Sequence, residues 1–151
     1  MSNVKKEWTE TYSKLLDKAK SMRNYSYVPY SNFSVGAALL SKDGRVFGGC
    51  NIENSAYSVG ICAERTAFSK AISKGVKEFS AILIVGNKKD KKNVDITPPC
   101  GMCRQFIREF TDSEFLIILA KTDDNDNLID YEIHKRDELL PYSFGPENLQ
   151  N

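Results

Sequence analysis

Residues 61–85 read ICAERTAFSKAISKGVKEFSAILIV, and this stretch decides the fold. Ala63, Ala67, Phe68, Ala71 and Ile72 recur at helical spacing, which predicts a helix from Ile61 to Ser73. Gly75 stands where a helix end takes a left-handed residue. Phe79 to Val85 is an apolar run interrupted only by Ser80, the pattern of a strand buried on both faces. The pattern then repeats. Cys100 to Phe110 is predicted as a second helix, starting just after Pro98-Pro99, and Phe115 to Ala120 as a second buried strand. Helices between strands are crossovers, so part of the sheet must be parallel.

Working outward, Thr122 to Asn127 reads as a turn, Leu128 to Ile133 as a last strand, and Asp137 to Leu140 as a short helix stopped by Pro141. Upstream, Leu15, Leu16, Ala19 and Met22 predict an amphipathic helix over about Lys6 to Arg23, and Val28-Pro29 ends any helix. Phe33 to Leu40 and Arg45 to Cys50 read as a hairpin around Ser41-Lys42-Asp43-Gly44. Asn51 to Gly60 and Asn87 to Pro99 are polar connections. The expected fold class is α/β: one mixed five-stranded sheet with helices on its faces, in a single domain over residues 1–151.

Composition excludes several function classes. Apolar residues make up 41% and charged residues 27%, ordinary values for a globular chain. The net charge is +1 from 21 basic and 20 acidic residues, which gives little general pull on nucleic acid or anionic membrane. No apolar run is long enough to span a bilayer, and Met1 to Glu10 has no apolar leader core, so the expected compartment is the cytoplasm. There, four cysteines point to metal or catalysis before disulfides.

Cys100 and Cys103 are three apart on a predicted helix and share a face, while Cys62 opens the other helix. The helix dipole in first turns favours thiolates, and three thiolates can hold zinc with a fourth position left open for catalysis. Glu64, two residues after Cys62, is placed to act as a base toward that position. A redox Cys-x-x-Cys pair, or a closed four-cysteine zinc that uses Cys50, are the competing readings. Three thiolates outweigh the charge of one zinc ion. Arg65 is the candidate to draw charge off the sulfurs; its plainer reading is a solvated helix arginine.

Cys62-Ala63-Glu64 followed by Pro99-Cys100-Gly101-Met102-Cys103 matches the zinc deaminase pattern, with Cys where that pattern has His. With Pro29 to Leu40, Gly49 to Asn54, Glu138 to Pro141 and Phe144 to Glu147, the chain resembles the small homotetrameric cytidine deaminases over nearly its whole length. The resemblance implies a three-layer α/β/α fold, one zinc per subunit on Cys62, Cys100 and Cys103, and active sites at subunit interfaces. It implies Glu64 as proton shuttle, Asn51 and Glu53 on the ribose, and Phe33, Ala56 and Tyr57 lining the pocket. The backbone of Ala63 and Cys100 would meet the base, and Phe144 would complete a neighbouring subunit's site.

The expected reaction is hydrolysis of cytidine and 2′-deoxycytidine to the uracil nucleosides and ammonia, with a small nucleoside as the partner and neither nucleic acid nor membrane. A deaminase of a cytosine-nucleoside antibiotic such as blasticidin S, a nucleic-acid editing deaminase, and an idle zinc-stabilised binding module are the alternatives. His134, the Asp123 to Asn127 turn and the run Lys88-Lys89-Asp90-Lys91-Lys92 are given no role. Tyr25, Tyr27 and Tyr30 are read as packing or interface residues.

Overall fold

A computed structural model describes residues 6–89 and 95–150. Asp90, Lys91 and Lys92 of the basic run, and the first residues of the segment read as lacking a leader, lie outside the described residues. The elements are α1 (Glu10–Arg23), β1 (Phe33–Ser41), β2 (Val46–Cys50), α2 (Ala63–Ser73), β3 (Phe79–Lys88), α3 (Gly101–Phe110), β4 (Leu116–Thr122), β5 (Leu128–Lys135) and α4 (Arg136–Leu139). Short 3₁₀ turns form at Tyr57–Val59 and Pro146–Asn148.

The five strands make one sheet in the order β2-β1-β3-β4-β5. β3 and β4 run parallel, and the other neighbours run antiparallel. The parallel pair is joined through α3, the crossover that residues 79–120 predict. Alternation along the central strands then fills two cores. Leu39, Ile82, Ile84, Ile117 and Leu119 pack with Ala67 and Phe68 of α2 and Ile107 of α3. Ala38, Leu83 and Ile118 point the other way, onto Leu15, Leu16 and Ala19 of α1. Helices therefore cover both faces, in three layers. Each fully buried Leu, Ile or Phe contributes about 1.5–3 kcal/mol, which is why Ala81 to Val85 in the middle of β3 are all apolar.

Local chemistry explains the element ends. Thr9 caps α1 by accepting from the Tyr12 amide, so the helix starts at Glu10, later than the predicted Lys6. α2 ends in a Schellman arrangement: Val76 N–H donates to Ala71 O and Gly75 N–H to Ile72 O, with Gly75 at φ +82°.

A second glycine places the site. A Cβ at Gly49 of β2 would lie 2.3 Å from the Ala63 carbonyl oxygen and 2.5 Å from the Ala67 nitrogen. Only a bare backbone lets the first turn of α2 sit this close to the sheet.

Candidate active site

Two chain segments enter helices in extended geometry, and each delivers a cysteine. Ile61 exchanges both backbone hydrogen bonds with Ile52, at 2.9 and 3.0 Å, so the chain reaches Cys62 extended. Pro98-Pro99 imposes the same on the approach to Cys100. Cys62 (ψ 158°) and Cys100 (ψ 166°) are accordingly the N-caps of α2 and α3, one position before the helices begin and not inside their first turns as the sequence predicts. Cys103 does lie inside the first turn of α3. Neither capping sulfur accepts a backbone N–H of its own helix, which leaves both available to a metal.

The two helix starts bring the three sulfurs within 4.8 Å of one another. Cys62 Sγ and Cys100 Sγ are 3.8 Å apart. Tetrahedral zinc with Zn–S bonds of about 2.3 Å sets its sulfur ligands about 3.8 Å apart. The donors thus suit zinc in number, type and spacing, and Cys62, Cys100 and Cys103 are positioned to hold the ion. Cys103 is buried, Cys62 half-buried and Cys100 exposed. Cys50 is a separate buried cysteine at the end of β2, outside the cluster.

The sulfurs share protons unequally. The Cys62 thiol is pulled down to about 5, first by its hydrogen bond with Cys103 and then by Arg65, against the opposing effect of burial. Cys103 is pushed up by the same partnership and by burial. Arg65 Nη2 lies 4.0 Å from Cys62 Sγ and 3.5 Å from Gly60 O, and its buried Nε has no hydrogen-bond partner among the described residues.

Glu64, in the first turn of α2, is 4% exposed. Cys103 Sγ donates toward its Oε2 at 3.7 Å. Burial raises its pKa to about 7. A carboxyl buried among metal-type donors is a group poised to exchange protons.

A cleft of about 580 Å³ opens in front of the sulfurs. Asn51, Glu53, Tyr57, Cys62, Arg65 and Cys100 are among its lining residues. The Asn51 amide is engaged with β1: its Oδ1 accepts from Val35 N and its Nδ2 donates to Phe33 O, each at 2.9 Å. Glu53 Oε1 accepts from the Tyr30 and Ser31 amides at 3.0 and 3.1 Å. Both side chains therefore brace the cleft wall, and Glu53 is held below the usual carboxylate range, foremost by its hydrogen bond with the Ser31 side chain.

Phe33, Ala56, Ala63 and Phe144 do not line this cleft. Phe33 starts β1 and packs on the core, Ala56 precedes the Tyr57–Val59 turn, and Ala63 is fully buried. Phe144 is 59% exposed, with its carbonyl accepting from Gln105 Nε2 at 3.0 Å. Tyr30, Ser31 and Met102 line the cleft without having been singled out as site residues from the sequence. The signal for them was present, because they lie inside the Pro29 to Leu40 and Pro99 to Cys103 blocks.

Residues 9–119 match the profile of the cytidine and deoxycytidylate deaminase zinc-binding region. The chain is 45% identical over 136 residues to a cytidine deaminase of Sporosarcina psychrophila, covering 90% of this chain and 93% of that one. Among solved structures, a cytidine deaminase from Burkholderia pseudomallei is 38% identical and superposes with a TM-score of 0.77, covering 91% of this chain and 100% of that one. One from Mycobacterium tuberculosis is 34% identical at a TM-score of 0.72, with 89% and 97% covered. Fold and sulfur cluster together define a zinc-binding deaminase. The chain belongs to the cytidine and deoxycytidylate deaminase family.

Proposed function

We propose that this protein is a cytidine deaminase, converting cytidine and 2′-deoxycytidine with water to uridine and 2′-deoxyuridine plus ammonia. The observation that carries the reading is the buried Glu64 carboxylate beside three sulfurs spaced for zinc. Cys62, Cys100 and Cys103 hold the ion. When bound, zinc supplies Lewis-acid activation of a water molecule.

Glu64 takes a proton from the attacking water and delivers it to N3 of the cytosine ring. It then carries the second proton to the exocyclic amino group on C4, which leaves as ammonia. One carboxylate serves both steps because it is held in one buried position beside the metal donors, with Cys103 Sγ 3.7 Å from its Oε2. Arg65, with Nη2 close to Cys62 Sγ, offsets part of the thiolate charge.

Asn51 and Glu53 shape the cleft wall for the ribose, and their second hydrogen-bonding capacity faces the sugar hydroxyls. A site that demands those hydroxyls favours nucleosides over free bases. In this reading Tyr57 and the backbone of Cys100, which line the cleft, meet the nucleoside, and Phe33, Ala56 and the backbone of Ala63 are assigned to the same pocket although they do not line the cleft of the single subunit.

The chain acts as one domain and assembles as a homotetramer in which Phe144 reaches a neighbouring subunit's pocket. The exposure of Tyr57 (80%), Phe144 (59%) and Tyr142, large side chains left mostly open in one subunit, supports this. The expected place is pyrimidine salvage in the cytoplasm, where thiol ligands stay reduced. No helix among the described residues is long and apolar enough to cross a membrane.

The test is deamination of cytidine by the zinc-loaded protein, followed by ultraviolet absorbance and by ammonia release. A Glu64→Gln variant that keeps zinc and loses turnover supports the assignment. Retained turnover removes Glu64 from the mechanism.

A further inference from the structure

Cys100 is the most exposed of the three sulfur ligands, so packing does least to hold it. Cys62 is set by the Ile52–Ile61 backbone pair and Cys103 by burial in α3. The direction of the Cys100 side chain depends on the two peptide groups that flank it. Both are held by one residue. The Arg104 amide donates to Cys100 O at 2.9 Å, and Arg104 Nε donates to Pro99 O at 2.8 Å. The first is an ordinary helix bond. The second is not, because Pro99 O lies ahead of the N-cap and outside the helix ladder.

The same guanidinium reaches across the fold. Arg104 Nη1 donates to Leu139 O at 2.7 Å, at the end of α4. The planar fork thus ties the loop before Cys100 to a separate element, whose Leu139 is 35 residues from Arg104. Pro98-Pro99 adds stiffness but contributes no amide donors to anchor that loop. Without Arg104, the buried Pro99 would keep an unpaired carbonyl next to a metal ligand.

We propose that Arg104 is a positioning residue for the metal centre: it fixes Pro99 O and Leu139 O together, and so holds the Cys100 sulfur at its 3.8 Å spacing from Cys62. The role differs from that of Arg65, which approaches a sulfur itself. It rests on the reading of the three sulfurs as zinc ligands. Ligand orientation by such surrounding hydrogen bonds is typically worth 10–100-fold in metal affinity.

The test compares wild type with Arg104→Ala, Arg104→Lys and, as a control, Ile107→Val. Ile107 is fully buried in the core face of the same helix, and its truncation loosens α3 while leaving the Arg104 bonds to Pro99 O and Leu139 O in place. Zinc content per chain is measured first, then zinc release to a chromogenic chelator, then the visible spectrum of the cobalt-substituted proteins. The expected result is zinc release roughly 10–100-fold faster in Arg104→Ala, an intermediate rate in Arg104→Lys, and shifted cobalt bands in both. Ile107→Val keeps the wild-type spectrum and release rate. If Arg104→Ala does not fold, Arg104→Lys decides by the same readouts. Wild-type release and spectra in the Arg104 variants would overturn the proposal, as would equal effects in Ile107→Val. A wild type that holds no zinc would instead remove the metal reading on which the proposal stands.

Discussion

Cys62 Sγ and Cys100 Sγ meet at 3.8 Å although their residues are 38 apart in sequence and cap different helices. The sheet makes this meeting. β2 leads to α2 and β3 leads to α3, and both helices pack on the same face of the sheet. Two helix N-termini then point their positive ends at one spot, where thiolates and a metal cation can be gathered.

Replacing Cys100 by Ser, or stripping metal with a chelator, is expected to lower cytidine turnover at least 100-fold. Zinc added back restores the stripped wild type and leaves Cys100→Ser inactive. Metal removal also lowers the melting temperature, since a ligand that binds only the folded chain stabilises it. Equal melting temperatures with and without zinc would argue against a seated ion.

Gly49→Ala forces a methyl group against the first turn of α2, 2.3 Å from the Ala63 carbonyl. Overpacking of this kind costs about 1–3 kcal/mol. Because Glu64 follows directly on that carbonyl, turnover falls with little change in zinc content. Denaturant melts and kcat on the same preparation check both.

The hairpin turn supplies a pH-dependent contribution. Asp43 accepts from Ser41 Oγ and from Arg45 Nη2, the latter at 2.7 Å, and these bonds, Arg45 foremost, hold its carboxyl well below the usual carboxylate range. Its folded pKa is thus lower than its unfolded one. The stabilisation is full above the unfolded value, about 3.9, and is lost as pH falls below it toward the folded value. Asp43→Asn should therefore melt below wild type at pH 7, and the gap should close as pH drops below about 4. The group is fully exposed, so the gap is small. A gap that widens in acid would contradict the assignment.

Sharing of the site between subunits predicts complementation. A Phe144→Ala subunit and a Glu64→Gln subunit are each expected to be inactive alone. Mixed after dissociation, they should regain part of the wild-type rate, because some pockets then combine an intact Glu64 with an intact Phe144. No recovery in demonstrably mixed oligomers would confine Phe144 to its own chain.

The strands and main helices could be read from the chain because burial leaves a local pattern. Ala81 to Val85 is apolar throughout since α1 covers one face of β3 and α2 and α3 the other. The turn Ser41 to Gly44 was equally plain, with Gly44 at φ +92°. What escaped depends on distant partners. The Pro146–Asn148 turn lies on a segment held by Gln105 and Arg108, which bond Phe144 O and Ser143 Oγ across 39 and 35 residues. Arg108 also pairs with Glu147, and no periodicity announces such contacts.

The same distinction divides the site. Two cysteine motifs at helix starts carry their chemistry in their spacing. Asn51 does not: its amide bridges Val35 N and Phe33 O, a bond pattern visible only once β1 lies beside it. Arg104 resembles an ordinary helix arginine until α4 arrives at its guanidinium.

The most direct measurement is the ultraviolet spectrum of cytidine incubated with zinc-loaded wild type and with Glu64→Gln, with ammonia followed in parallel. Conversion to the uridine spectrum with equimolar ammonia in the wild type, and none in a Glu64→Gln protein holding one zinc per chain, is the expected result. An unchanged cytidine spectrum with zinc-loaded wild type, or equal conversion by both proteins, would contradict deamination driven by Glu64 at this centre.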